Sequence, residues 1–260
     1  MSFTNLNFGY IGWKFVGFDN YTRLFSSTGF LIIVKNTFVY VLFVVVFQLV
    51  IGLAVAMALN VSVPGRQFVR SVVILPWVVP AVVSALVFTL IFGGSRMSIS
   101  NYALSLIGMR PVSWLSDATM AMGLLIFVSV WRAVPFVSLI MLGGLQTLPS
   151  DVYEAAIIDG TNRWQRFWYV TLPLLKPMLL ISLIMATAHS LNSLDTPLAL
   201  TGGGPGNATE VLSISLYRQA FMLLDAGYGA AIGTLMLLVN IVLIAFYLRL
   251  VGPKRRAEAE

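Results

Sequence analysis

"NTFVYVLFVVVFQLVIGLAVAMALN", Asn36 to Asn60, carries no charge and, between its terminal asparagines, a single amide, Gln48. About 20 such residues let a helix cross the hydrocarbon of a bilayer, so the stretch reads as a membrane span. The composition agrees. Of 260 residues, 58% are hydrophobic and 10% charged, with a mean hydropathy of +0.90, whereas a soluble domain carries about a quarter charged residues to cover its wet surface. The net charge of +6 comes from scattered basic residues rather than from one face, which argues against nucleic acid and for a membrane-orientation signal. With no cysteine and one histidine, disulfides, cysteine-ligated zinc, thiol nucleophiles and histidine metal clusters are excluded.

Four further apolar segments follow, at about Arg70 to Phe92, Thr119 to Leu145, Leu174 to Leu194 and Gly227 to Leu250. The fold class is therefore an all-α integral membrane protein with five predicted transmembrane helices. Residues 36–250 form the transmembrane domain, preceded by the segment 1–35 and followed by the tail 251–260. In the turn "VSVPGRQF", Pro64 and Gly65 break the helix between the first two spans. Residues 93–118 are too polar to span and suit a short interfacial helix. In "TGGGPGNATE", within 195–226, the glycines and the proline forbid regular structure.

Basic flanks resist translocation, so the Lys and Arg bias sets the orientation. Nine basic residues (Arg66, Arg70, Arg163, Arg166, Lys176, Arg249, Lys254, Arg255, Arg256) fall on one side and six (Lys14, Arg23, Lys35, Arg96, Arg110, Arg218) on the other. The richer side is cytoplasmic, which places 146–173 and the tail inside and 1–35, 93–118 and 195–226 outside. Residues 1–29 lack the continuous apolar run of a signal peptide.

The cytoplasmic stretch "EAAIIDGTNRWQRFWYVTLPLLKP", Glu154 to Pro177, is punctuated like a folded module. After Pro149, Asp151 is expected to cap a short helix with Glu154 reaching back, and Gly160 to end it in a left-handed corner. Asn162, with Gln165 three residues on, is expected to cap a second helix, and Pro173 to mark the start of the next span. Ala155 and Ala156 leave one side thin enough for close approach by another protein, and Tyr153 and Ile157 offer an apolar anchor. The alternative is a tidy cytoplasmic loop with no docking role.

Glu154, Ala155, Ala156, Gly160, Leu172 and Pro173 resemble the E-A-A loop of permease subunits of binding-protein-dependent ABC importers. The flanking "WRAVPF", "LQTLPSDVYEAAIIDG" and "TGGGPGNATE", with "FVGFDNYTRLF" near the start, resemble the carbohydrate-uptake branch, of the maltose and glycerol-phosphate permease type. The resemblance implies a coupling helix in which Tyr153, Glu154, Ala155, Ala156, Ile157, Asp159, Gly160, Leu172 and Pro173 serve docking to an ATPase subunit. It also implies a second permease subunit in a heterodimer, two ATP-binding subunits that hold ATP and Mg, an extracytoplasmic solute-binding protein, a carbohydrate substrate, and a bacterial or archaeal cytoplasmic membrane. This chain is expected to bind no cofactor and to be no enzyme itself. Members of the family carry a further helix ahead of Ser2 to Thr4, so the six-helix core is expected to lack its first helix here, by truncation or by nature.

None of the lysines ends a G-x-x-x-x-G-K phosphate loop, so energy must come from a partner. An intramembrane protease is disfavoured because no G-x-S-G site accompanies His189. An ion-coupled secondary transporter is the stronger alternative, but no carboxylate lies near the centre of a span. Along the fourth span Ser182, His189, Asn192, Ser193 and Thr196 fall within an arc of roughly 100° at about 100° per residue. That polar stripe, with Gln48, lines either a hydrated sugar pathway or a helix-to-helix contact. Arg132 is expected to face the bundle interior and satisfy carbonyls freed by Pro135. Gly229 and Gly233 form a G-x-x-x-G pair suited to packing between the two permeases.

Overall fold

The computed structural model describes residues 1–9, 12–61, 65–95 and 97–251; Pro64, Arg96 and the tail residues Lys254, Arg255 and Arg256 lie outside them. The chain starts with an extended segment and α1 (Asp19–Ser26), then enters α2 (Thr28–Asn60), eight residues before the expected Asn36. At about 1.5 Å per residue α2 is about 50 Å long against ~30 Å of hydrocarbon, so its first turns stand outside the membrane.

The expected second span is not continuous. It consists of α3 (Arg66–Val78) and α4 (Ala81–Phe92), bent by 91° at the break. Pro80 causes the break, because its ring drives the preceding Val79 into extended backbone (φ −65, ψ 129) and it has no N–H to bond back into α3. Pro80 instead caps α4, its carbonyl accepting from Ser84 N at 3.0 Å. The polar stretch after α4 contains the expected short helix, α5 (Ile99–Leu106), held by the buried Asn101. Asn101 Nδ2 donates to Ser95 O and Val112 O, both at 3.1 Å, and Oδ1 accepts from Val112 N at 2.9 Å.

The third span is α6 (Ala118–Gln146), started by Asp117, whose Oδ1 accepts from Thr119 N and Met120 N. Between α6 and the fourth span come α7 (Ser150–Ile158), α8 (Arg163–Arg166), a wider π turn at Phe167–Thr171, and α9 (Leu172–Leu174). The fourth span, α10 (Lys176–Asn192), is bent by 67° from the run Arg163–Leu174. Pro173 therefore lies inside the preceding helical run and does not open the span. Pro177 makes the bend, since it has no N–H to return to the carbonyl of Pro173.

Residues 195–226, expected as an external loop, fold back into the bundle as α11 (Asp195–Leu200), α12 (Leu212–Tyr217) and a second π turn at Arg218–Met222. α11 packs on α4 and α6, and Thr196 and Leu200 are buried. The buried hydroxyl of Thr37 on α2 accepts from Leu212 N at 2.9 Å. The glycine-rich turn between the two helices can be buried because side chains satisfy it: Thr209 Oγ1 donates to Gly204 O at 2.6 Å, and Glu210 pairs with Arg218 at 2.9 Å. The last helix is α13 (Ala226–Val251). Three helices (α2, α6, α13) are long and apolar enough to cross a bilayer alone, and the count reaches five if each bent pair is one crossing.

The N-terminal segment lies against the start of α13: Gly227 N donates to Leu6 O at 2.8 Å, and Arg23 pairs with Asp225 at 2.6 Å. At the opposite end, Met57 and Asn60 of α2 and Leu145 of α6 meet Tyr153 of α7. α2, α6 and α13 thus run one way, with α10 returning between them. Gly229 and Gly233 pack inside this chain rather than toward a second permease. A Cβ at Gly229 would lie 2.6 Å from Ala220 Cβ, and one at Gly233 3.2 Å from Leu216 Cδ1.

Gly229→Val is therefore expected to destabilise the fold by about 1–3 kcal/mol. Gly123→Ala, where a Cβ meets nothing within 4 Å, is expected to leave it unchanged. Thermal unfolding of the two variants in detergent checks the pair.

Candidate functional site

α2, α6 and α10, with α3 and α11 at the rim, surround a cavity of about 490 Å³. Gln48 reaches it from α2, Arg132 from α6, His189 from α10, and Ser193 and Thr196 from the break that follows. Ser182 and Asn192 do not line it. Ser182 is fully buried elsewhere, and Asn192 is exposed with its Nδ2 donating to Ala188 O at 2.7 Å. Ser182 precedes the part of α10 that lines the cavity, which begins at Ile184, and Asn192 closes α10 with its amide turned back on the helix. Ser193 is extended (φ −66, ψ 119), so it and Thr196 approach the cavity from a chain that has changed direction.

Several lining residues were not singled out in the sequence. Tyr40 OH and Ser129 Oγ lie 3.0 Å apart and join α2 to α6 across the wall. Trp77 and Phe136 stack with ring centres 5.8 Å apart, forming an aromatic panel. Ser129 was within reach of pattern reasoning, since it lies three residues before Arg132 on the same helical face. Trp77 was not, because only the break at Pro80 aims the end of α3 inward.

Arg132 Nη1 donates to Thr196 Oγ1 at 3.3 Å, and its Nε has no partner. Among the described residues it makes no bond to the carbonyls that Pro135 frees, contrary to expectation. Gln48 Nε2 and Ser190 Oγ are likewise buried without partners. A buried polar group left unmade costs about 1–3 kcal/mol, so these atoms suit a cavity that holds water or a polar solute. Two other hollows differ in kind. One of about 510 Å³ between α2 and α13 is almost wholly apolar, and one of about 490 Å³ lies at the α7 end of the bundle beside Glu154. Among the described residues no three His, Asp or Glu side chains gather into a metal-binding cluster.

The module from α7 to α9 is built differently from its expected capping at one end and as expected at the other. Pro149, not Asp151, occupies the cap of α7, and no side chain bonds there; Asp151 sits in the first turn. Gly160 is left-handed (φ 77), with Gly160 N returning to Ile157 O at 3.0 Å and Thr161 N to Ala156 O at 3.1 Å. Asn162 and Gln165 form the reciprocal capping box at 2.8 and 2.9 Å. Ala156 is buried, and Tyr153 turns inward, its OH 2.9 Å from Thr171 Oγ1. The exposed surface consists instead of Val152, Glu154, Ala155, Ile157, Ile158 and Asp159, with Ile158 at 84% exposure. Of the remaining residues read as part of the loop, Leu172 is half-buried and Pro173 exposed.

A family model described as "binding-protein-dependent transport system inner membrane component" matches residues 48–256. The trehalose/maltose transport system permease protein MalF of Thermococcus litoralis is 39% identical over 245 residues, 93% of this chain and 81% of its own. The multiple sugar-binding transport system permease protein MsmF of Streptococcus mutans is 34% identical over 244 residues, covering 92% and 81%. Among solved structures, a chain of a bacterial alginate ABC transporter, in complex with an alginate pentasaccharide-bound periplasmic protein, superposes with a TM-score of 0.81. It is 25% identical and the match covers 90% of this chain and 82% of that one.

Because Gln48 Nε2 makes no bond, Gln48→Leu should be at least as stable as the natural protein. Tyr40→Phe, which removes the bond to Ser129, should lose about 0.5–1.5 kcal/mol. Thermal unfolding separates the two.

Proposed function

This chain belongs to the family of binding-protein-dependent transport system inner membrane components, and we propose that it serves as one permease subunit of an ABC importer of sugars or polyols. The observation that carries the reading is a largely apolar cavity with a few convergent polar groups and an aromatic panel, walled by α2, α6 and α10, together with the exposed helix α7. Hydroxyl, amide and guanidinium groups suit a polyhydroxylated solute, and an apolar ring face suits the C–H face of a pyranose.

In this reading the exposed face of α7 docks on an ATPase subunit that binds ATP and Mg. Its movement on ATP binding rocks the spans from inward-facing to outward-facing, and hydrolysis resets them. A second permease completes the pathway, a solute-binding protein delivers cargo on the outer side, and the membrane is the cytoplasmic one. The work done by this chain is mechanical and not chemical. An ion-coupled carrier is not favoured, because no Asp or Glu lines the cavity among the described residues. The charge of the cargo is left open by the neighbours' names, which run from trehalose and maltose to acidic alginate.

Gly160→Val tests the coupling role. A β-branched residue in a left-handed corner costs at least about 1–2 kcal/mol there, so the turn between α7 and α8 should distort while the spans remain inserted. Saccharide-stimulated ATPase activity of the reconstituted complex should fall several-fold. Unchanged uptake with Gly160→Val would remove the coupling role from α7.

A further inference from the structure

We propose that the cavity selects a carbohydrate bearing a negative charge, and that Arg132 is the group that recognises it. This rests on the importer reading above and adds the charge of the cargo. Arg132 stands at the midpoint of α6. A cation near the middle of a bilayer costs about 2.5–3.5 kcal/mol on insertion scales, and such residues are kept by pairing or by function. Pairing does not account for this one. The ion pairs among the described residues are Arg23 with Asp225 and Arg218 with Glu210, both away from the cavity. Asp195, at the start of α11, makes no ion pair with Arg132 among the described residues. What Arg132 has is one bond of 3.3 Å to the Thr196 hydroxyl and an Nε with no partner.

The rest of the wall points the same way. Gln48 Nε2 is a second buried donor without an acceptor, His189 adds ring nitrogens, and Tyr40, Ser129 and Ser190 add hydroxyls. Among the described residues no carboxylate lines the cavity, Asp195 standing outside it beside Thr196. The hydroxyls, the Gln48 amide and the imidazole can each donate or accept and so serve any sugar hydroxyl, whereas Arg132 only donates and carries a fixed charge that an anionic acceptor meets in full. A guanidinium presents its donors as a planar fork that matches a carboxylate, a complementarity that a sugar hydroxyl does not supply. With the Trp77–Phe136 panel to meet the ring, the fitting cargo is a saccharide carrying an acidic group, such as a uronic acid.

The experiment measures equilibrium binding of a glucuronate-containing disaccharide and of its uncharged glucose counterpart to the complete importer complex in nanodiscs. Ionic strength is fixed and the solute-binding protein is left out, so only the membrane site reads the difference. The charged saccharide should bind about tenfold tighter or more, the low end of what a charge-assisted hydrogen bond contributes. Arg132→Gln should erase that preference, and Arg132→Lys, which keeps the charge without the fork, should retain part of it. Equal binding of the two saccharides by the natural complex, or a preference that survives Arg132→Gln, overturns the inference. If Arg132→Gln does not assemble, the natural ratio and Arg132→Lys decide by themselves. Binding of neither saccharide would remove the sugar cavity itself, whereas binding without preference removes only the role given to charge.

Discussion

Inside hydrocarbon every backbone N–H and C=O must find its partner within the protein, and the rest of this structure follows from how the chain meets that demand. Continuous helix meets it automatically. Interrupted helix does so only where other protein groups or water take over. The break at Val79–Pro80 aims Trp77 at the cavity, and the break after Asn192 delivers Ser193 and Thr196 to it. The inward fold of 195–226 obeys the same rule, since Thr37, Thr209 and Arg218 supply the bonds that its backbone and Glu210 need.

This demand also explains which parts of the fold could be read from the residues. The spans at Thr119–Leu145 and Gly227–Leu250 agree with α6 and α13 to within a residue at each end, because they are continuous and their flanks change abruptly in polarity. Asn162 with Gln165 was legible because a capping box is a local exchange of two bonds. Asp151 misled because its spacing to Glu154 is equally good, but Pro149 already supplies the turn that opens α7. The 91° bend was hidden because mean hydropathy does not register direction. Pro80 is apolar enough to pass as span while it forces a change of course.

The cavity was half legible for a related reason. Gln48, Arg132, His189, Ser193 and Thr196 stand out as polar side chains in apolar surroundings, and the structure brings them together. Asn192 and Ser182 stand out equally but go elsewhere, since a helical wheel gives angle and not depth: Ser182 precedes the part of α10 that reaches the cavity, and Asn192 bonds back to Ala188 at the helix end. Tyr40, Trp77 and Phe136 were hidden by their own chemistry, because an aromatic residue in a span serves packing, lipid contact or ligand contact without any change in the local pattern.

The same helices that wall the cavity give a movement at α7 a way to reach it. α6 is a single rigid element from Arg132 to Gln146, about 21 Å at about 1.5 Å per residue, and only a short turn separates it from α7. Tyr153 ties α7 to Thr171, just ahead of the bend that begins α10. α6 and α10 touch closely near that end: a Cβ at Gly144 would lie 2.5 Å from Met178 Cγ. Packed helices slide or pivot rather than compress, so in the proposed coupling a contact this tight, near the α7 end of the bundle, would serve as a fulcrum. In that proposal a small displacement of α7 would be expressed as a larger one at the far side of the fulcrum. There Arg132 and Ser129 on α6 face His189 and Ser190 on α10, and the two walls of the cavity part or close together.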